Sequence, residues 1–71
     1  MNLRGYEIQL QELNADLGGG FIAFAPQLMG CVSDGDSRAA AVLNLEDAIL
    51  SWLDAARVAG RATPEPGLTN A

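Results

Sequence analysis

The chain has 71 residues, of which 49% are apolar and 18% are charged, a balance that predicts one small folded domain and excludes a disordered polar chain. Nine Asp and Glu residues stand against four Arg, with no Lys and no His, and the net charge of -5 argues against direct binding to nucleic-acid phosphates. The chain has one cysteine, no basic and apolar leader, and no apolar run near the roughly 20 residues that cross a bilayer, so we expect a cytoplasmic protein without membrane contact.

Residues 4–13 alternate between apolar and polar side chains, and this period of two predicts a half-buried strand. Its apolar face consists of Tyr6, Ile8 and Leu10. Three consecutive glycines come next, ending at Gly20, and glycine tolerates the positive φ angles of a tight reversal. We therefore predict an antiparallel hairpin whose second strand runs over residues 21–25.

Pro26 ends the second strand, because proline has no N–H to donate to a neighbouring strand. The chain then turns at Gly30, and residues 31–34 are short but suited to a third strand. Gly35 marks the exit from that strand. These three residues are therefore interpreted as turn-forming.

The longest periodic segment, residues 37–59, contains neither Gly nor Pro and is rich in Ala and Leu, which predicts a helix. Asp36 or Ser37 caps its first turn, and Gly60 stands where a left-handed C-terminal cap is common. One broad face is apolar and should pack on the sheet. Its members are Ala41, Val42, Leu45, Ala48, Ile49, Trp52, Leu53, Ala56 and Ala59.

Two leucines of this helix, Leu43 and Leu50, project away from the apolar face. Their charged surroundings include Glu46, Asp47 and Asp54. One interpretation is that they are isolated exposed leucines without a role. The alternative is an interface with a partner or another copy, because two apolar side chains two turns apart with a charged rim resemble a small contact patch.

After Gly60, residues 61–64 are expected to form a short edge strand, which gives the order β-β-β-α-β. The predicted fold class is therefore α+β, with a small antiparallel sheet and one helix packed on one face. We expect the domain to cover residues 1–66 and residues 67–71 to form a flexible tail.

The sequence offers little for catalysis. Asp34 and Asp36 do not begin an EF-hand, because the positions that would need an oxygen ligand and a glycine hold Arg38 and Ala39. Cys31 lacks a histidine base anywhere in the chain, and we expect it to be a small buried apolar residue. We therefore predict a protein that is not an enzyme, with no cofactor and no metal.

An ordered series of short motifs runs through most of the chain. The strands carry Tyr6, Gly19-Gly20-Phe21, Ala23, Pro26, Leu28, Gly30-Cys31, Ser33 and Gly35-Asp36-Ser37. The helix and the segment after it carry Ala41, Asn44-Leu45, Ala48-Ile49, Trp52-Leu53, Gly60 and Pro64-Glu65-Pro66. This series resembles the HicB-like antitoxin domain. The likeness covers residues 6–66, and its specificity lies in the order of the series.

This resemblance implies a domain similar to a partial RNase H fold, without that fold's catalytic carboxylates. Family members bind a small basic HicA-like toxin that cleaves mRNA, and cover its catalytic surface. The acidic composition agrees with this separately, because a negative domain is steered towards a basic RNA-binding surface.

The sequence departs from the family pattern in three places. Ala40 stands where the family has Glu, so the capping box with Ser37 is incomplete. Gln27 and Met29 replace the Asp and Pro of the family's loop. The C-terminal DNA-binding segment of many members is missing, so operator binding does not carry over.

These observations are compatible with three functions. The first is an antitoxin-type protein that binds and masks a basic HicA-like toxin. The second is a stand-alone homo-oligomeric interaction domain, a dimer or tetramer, because a chain this small removes only about 60% of its unfolded surface from water. The third, least supported by the side chains present, is a metal-dependent or vestigial nuclease related to the RNase H fold.

Overall fold

The computed structural model describes residues 2–63 and contains two small antiparallel sheets and one helix, which confirms the predicted α+β class. The elements in chain order are β1 (Asn2–Leu3), β2 (Tyr6–Glu7), β3 (Gln9–Glu12), a 3₁₀ turn (Ala15–Leu17), β4 (Phe21–Phe24), β5 (Val32–Gly35) and α1 (Arg38–Val58). Strands β1 and β2 form one sheet, and β3, β4 and β5 form the other with β4 in the centre. The helix packs on β4 and β5. Within residues 2–63, no helix combines the length and the apolar character that a membrane span requires.

The predicted first strand, residues 4–13, corresponds in the structure to a turn followed by two short strands, β2 and β3. Arg4 and Gly5 have φ angles of 53° and 85°, and they form the turn of a β1–β2 hairpin in which Leu3 pairs with Tyr6. Positive φ at both central residues gives a two-residue turn the twist of its flanking strands. The strand prediction is therefore wrong at Arg4 and Gly5, and at Leu13, which follows the end of β3. The alternation of buried and exposed side chains from Tyr6 onward is confirmed.

The predicted hairpin between β3 and β4 is confirmed. Its register pairs Gln9 with Phe24 and Glu12 with Phe21. Gly20, at the start of the returning strand, has a φ angle of 83°. A Cβ atom there would lie 2.8 Å from the carbonyl oxygen of Gly35 on β5. Gly20 is therefore required both by its backbone angle and by the close approach of the neighbouring strand.

Two consecutive turns connect β4 and β5. The carbonyl oxygen of Ala25 accepts the N–H of Leu28 at 3.0 Å, and the carbonyl oxygen of Leu28 accepts the N–H of Cys31 at 2.9 Å. Pro26 comes after Ala25 in the first turn, where its fixed φ suits the second position. Gly30 precedes Cys31 in the second turn and has a φ angle of 79°.

Gly35 ends β5, but its role differs from the turn-forming role that we predicted. A Cβ atom on Gly35 would lie 2.5 Å from the backbone nitrogen of Ala41 and 2.7 Å from the carbonyl carbon of Ala40. The first turns of α1 thus cross directly over this position. Close packing between the strand and the helix, and not a backbone reversal, is what requires glycine here.

The helix ends agree with the predicted caps. The Ser37 hydroxyl oxygen accepts the N–H of Ala40 at 3.1 Å, so Ser37 is the N-cap and the exposed Asp36 precedes it. At the other end, Gly60 has a φ angle of 75° and its N–H donates to the carbonyl oxygen of Arg57 at 3.1 Å. Both limits of α1 are therefore local features of the sequence.

Replacing Ser37 with alanine should destabilise the domain by about 1 kcal/mol, because the N–H of Ala40 loses its acceptor. The measurement is the free energy of unfolding from urea titration. Ser51→Ala is the matched control, since Ser51 is exposed within α1 and caps nothing, so its change should be near zero or slightly stabilising. Equal losses for the two variants would contradict the capping role.

The predicted apolar face of α1 does form the helix side of the core. Its fully buried members are Ala41, Leu45, Ile49 and Ala56, and its partly buried members packed on the core are Val42, Ala48, Trp52 and Leu53. Ala59 was predicted on this face but is exposed, because it caps the C-terminal end of the helix beyond the packed turns. The sheet contributes Ala23 from β4.

The predicted strand over residues 61–64 is not formed by residues 61–63, which have no regular structure. Pro64, the end of the predicted domain at residue 66 and the predicted tail over residues 67–71 lie outside the described residues. Arg61 instead places its guanidinium 5.9 Å from the centre of the Trp52 ring. The described strand order therefore gains a hairpin before the helix and has no strand after it up to residue 63.

Candidate interaction surfaces

Leu43 and Leu50 are exposed on α1, with 65% and 42% of their surfaces accessible. Glu46 lies between them along the helix, and its carboxylate is 3.6 Å from the Nε atom of Arg4. Arg4 belongs to the β1–β2 turn, so a residue of the N-terminal hairpin contacts the helix flank that carries both leucines. The interface role of the two leucines stays a prediction.

The leucines line different grooves. Leu43 borders an apolar groove with Leu10, Arg38, Ala39 and Val42. Leu50 borders a more polar groove near the end of α1, together with Tyr6, Leu53, Asp54, Arg57, Gly60, Arg61 and Thr63. The two leucines therefore border two grooves of different polarity on the same helix.

The acidic rim of this helix flank is partly neutralised within the chain. Glu46 pairs with Arg4, and Asp54 pairs with Arg57 three residues further on. Asp47 is exposed and forms no ion pair within residues 2–63. Both ion pairs are largely exposed to solvent, where such pairs contribute little to stability. Their main consequence is that the flank offers less free negative charge than its sequence suggests.

The outer face of the three-stranded sheet is a second candidate surface, which we did not predict from the sequence. Side chains alternate between the two faces of a strand, and Ala23 of β4 is buried against the helix. Ile22 and Phe24 must therefore point to the opposite face, where both are half-buried and outside the core. Val32 of β5 pairs with Phe24 and is 54% exposed.

Polar side chains lie on both sides of this apolar centre, on the neighbouring strands. Gln9 pairs with Phe24 and Gln11 with Ile22 on one side, and Asp34 pairs with Ile22 on the other. By strand alternation all of these side chains share the outer face. The outer sheet face, defined by these residues together with Val32, carries a carboxylate and no cation.

The four arginines of the chain all engage other side chains on the helix side. Arg4 and Arg57 pair with carboxylates of α1, Arg38 lies 5.4 Å from the centre of the Phe21 ring, and Arg61 lies over Trp52. The described carboxylates that form no ion pair within residues 2–63 are Glu7, Glu12, Asp16, Asp34, Asp36 and Asp47. Free charge on the described surface is therefore negative.

Trp52 joins the helix to the loop between β4 and β5. Its indole N–H donates to the carbonyl oxygen of Met29 at 2.8 Å, while its ring is half-buried against the core. A buried or half-buried indole N–H normally has such a partner. This bond fixes the loop, from Pro26 to Gly30, against the helix, and Trp52 is accordingly a structural residue.

The residues considered for chemistry lie in places that do not favour it. Cys31 is 4% exposed, as expected for a small apolar core residue, and burial raises the pKa of its thiol. A raised pKa keeps the thiol protonated and therefore a poor nucleophile. Asp34 and Asp36 are both exposed, and within residues 2–63 no three His, Cys, Asp or Glu side chains come close enough to hold a metal ion.

Comparison of the chain with protein-family models, with curated proteins and with solved structures finds no match. The HicB-like resemblance and the partial RNase H-like likeness therefore stay predictions from the motif series. The α+β arrangement itself is independent of them, since it rests on the two sheets and the helix.

The outer sheet face had a signal in the sequence. Residues 21–25 are apolar without interruption, whereas a strand with one face in water alternates apolar and polar residues. The central strand of a sheet with a helix on one face has its second face uncovered within residues 2–63. The continuous apolar run therefore predicts apolar side chains on that second face.

Proposed function

We propose that this chain is an antitoxin-type protein, which binds and masks a small basic HicA-like toxin that cleaves mRNA. The observation that carries the proposal is the distribution of charge. Each arginine is engaged on the helix side, while six carboxylates of residues 2–63 form no ion pair there and no cation of this part of the chain lies on the outer sheet face. The HicB-like motif series supports the same function.

The outer sheet face provides the contact in this proposal. Ile22, Phe24 and Val32 form an apolar centre, and stable protein interfaces combine such a centre with a polar rim. The lone charged residue of the face, Asp34, attracts Arg or Lys of the partner. A toxin binds RNA through the same basic side chains, so covering them blocks its access to phosphate.

The proposed action requires binding alone. The chain acts without catalysis, metal or cofactor, on a scaffold similar to a partial RNase H fold, and in the cytoplasm, where its partner meets mRNA. Affinity comes from desolvation of the apolar centre, and association is accelerated by the opposite charges of the two proteins.

The direct test uses a small basic protein with one histidine encoded beside this chain, purified as the candidate toxin. We expect it to bind this chain and to stop cleaving RNA when bound. Raising the salt concentration should weaken binding by about tenfold, because exposed charge attraction is screened. Absence of binding at low salt, or RNA cleavage unaffected by saturating amounts of this chain, would reject the proposal.

Val32→Lys should weaken toxin binding by about tenfold, or about 1.4 kcal/mol, because it places a cation in the centre of the contact. The matched control is Val58→Lys, the same substitution on a residue that is 77% exposed at the end of α1. The dissociation constant is measured by calorimetry, with thermal unfolding to check the fold. Equal affinities for the two variants would place the toxin contact elsewhere.

A homo-oligomeric domain without a toxin is the second candidate function. The observation that favours it is the exposure of Leu43 and Leu50 beside two open grooves. Leu43→Ser combined with Leu50→Ser distinguishes the two functions. An unmodified chain that forms a stable oligomer, binds no toxin and dissociates in the double variant would favour the second candidate. Toxin binding by the unmodified chain that persists in the double variant would favour the first.

A further inference from the structure

The two edge strands of the three-stranded sheet, β3 and β5, differ in whether their outward backbone N–H and C=O groups have hydrogen-bond partners. In an antiparallel pair, hydrogen-bonded and non-hydrogen-bonded residue pairs alternate. The N–H of Leu13 donates to the carbonyl oxygen of Gly20 at 2.9 Å, so Leu13 and Gly20 are a hydrogen-bonded pair. This pair determines which residues of β3 bond to β4 in the observed register. Gln11 therefore bonds to β4, whereas Leu10 and Glu12 turn their N–H and C=O groups away from it, towards the free side of β3.

The opposite edge, on β5, is covered. The N–H of Ala25 donates to the carbonyl oxygen of Cys31 at 3.1 Å, so by the same alternation Asp34 turns its backbone groups outward. The side-chain amide of Asn44, on α1, donates to that carbonyl oxygen of Asp34 at 2.7 Å. A helix side chain thus occupies the edge of β5.

The edge of β3 has no such cover within residues 2–63. No hydrogen bond from outside the β3–β4 pair reaches the backbone of Leu10 or Glu12 in this part of the chain. Glu12 is exposed and Leu10 is half-buried. An unpaired strand edge is a template for another strand, and proteins that must avoid pairing usually blunt it.

An apolar groove adjoins this free edge. The helix packs on β4 and β5, so the inner face of β3 is left beside the flank of α1. Leu10 from β3, Val42 and the exposed Leu43 line the groove. Arg38 also lines it, and its guanidinium lies over Phe21, the neighbour of Glu12 on the same face.

The free edge is complementary to itself in one register. Two β3 strands that pair antiparallel around Gln11 place Leu10 of each copy opposite Glu12 of the other. Cross-strand neighbours have Cβ atoms about 5 Å apart, so each Glu12 carboxylate then lies beside the other copy's groove, next to Arg38. Pairing around Glu12 itself would oppose two carboxylates, which is unfavourable. Pairing around Leu10 would place Glu12 of each copy opposite Ile8 of the other copy and away from Arg38.

We propose that two copies of this chain associate through antiparallel pairing of β3 with β3, centred on Gln11, to form one continuous sheet. The contact buries Leu10 and Leu43 of both copies and joins Glu12 of each to Arg38 of the other. It uses the edge and the inner groove, and it leaves the outer sheet face open. Formation of this dimer is therefore independent of the proposed toxin, and the test is made without a toxin.

The test is sedimentation equilibrium of the purified chain over a range of concentrations. We expect a monomer–dimer equilibrium. Glu12→Arg and Arg38→Glu should each raise the dimer dissociation constant by about tenfold, because each puts like charges together twice in the symmetric contact. The double variant, which exchanges the two charges, should return it close to the original value. Asp34→Arg is the control, since Asp34 is an exposed carboxylate on β5, at the opposite edge of the sheet.

Glu12→Pro tests the backbone part of the contact. Its N–H is not used in the β3–β4 pair, so proline there should preserve the fold while weakening the dimer by about tenfold or more. Thermal unfolding checks each variant, and if the proline variant unfolds, the charge exchange decides. A chain that is monomeric at every concentration would overturn the inference, as would a dimer that survives both single charge reversals.

Discussion

Replacing Leu45 with alanine should cost about 2–5 kcal/mol of unfolding free energy, the range for truncation of a fully buried leucine. Leu45 has no accessible surface and lies at the centre of the helix face that covers the sheet. A domain of this size has little stability to lose, so we expect Leu45→Ala to be largely unfolded at 37 °C. Urea titration monitored by circular dichroism measures the change.

Leu43→Ala is the control for this prediction, because it is the same substitution two residues earlier in the same helix. Leu43 is 65% exposed, and its truncation should change the stability of the monomer by less than about 0.5 kcal/mol. Measurements should be made at low protein concentration, where self-association does not contribute. Similar losses for the two variants would contradict the packing of α1 on the sheet.

Replacing Gly35 with alanine should cost about 3 kcal/mol, although the change adds a single methyl group. The added Cβ atom would lie 2.5 Å from the backbone nitrogen of Ala41 and 2.8 Å from the Cβ atom of Ala40. Backbone atoms of a helix cannot rotate aside, so the start of α1 must move off β5. The midpoint of urea unfolding is the measurement.

Ser33→Ala tests whether strand position alone explains such a loss. Ser33 belongs to the same strand, points to the same face and is half-buried like Gly35, but it already carries a Cβ atom. Its replacement should change stability by less than about 1 kcal/mol. If Gly35→Ala were as stable as Ser33→Ala, the close crossing of helix and strand would be refuted.

The two proposed contacts use different parts of the sheet. The outer sheet face, with Phe24 and Val32, serves the toxin, while the free edge at Leu10 and Glu12 serves a second copy. A dimer built in this way presents two outer faces side by side on one continuous surface. Toxin binding and self-association are therefore compatible, and variants of each surface can be examined separately.

The elements of the fold were largely predictable because their signals are local. The period of two from Tyr6 onward, the glycines before Phe21 and the cap at Ser37 each act over a few residues, and the structure agrees with all three. The turn at Arg4 was missed, since arginine is an uncommon residue at positive φ and the strand pattern continues through it.

The surfaces were less predictable, because they depend on which distant residues meet. The helical period placed Leu43, Leu50 and Glu46 on one helix flank, but only the tertiary structure brings Arg4 of the N-terminal hairpin against Glu46. Likewise, the composition predicted an acidic chain, and packing decided which carboxylates remain free.

What the sequence determined by itself is the α+β class, the limits of the helix and the face by which it packs, because periodicity, capping and glycine placement act within a few residues of the chain. Only the tertiary structure decided that Gly35 must be glycine for a close crossing. It also decided that, among residues 2–63, the edge of β3 is open while that of β5 is covered, and that Ile22 and Phe24 lie on the face opposite the helix. Those features arise from contacts between β4, β5 and α1, whose geometry is set by the packing of the whole domain.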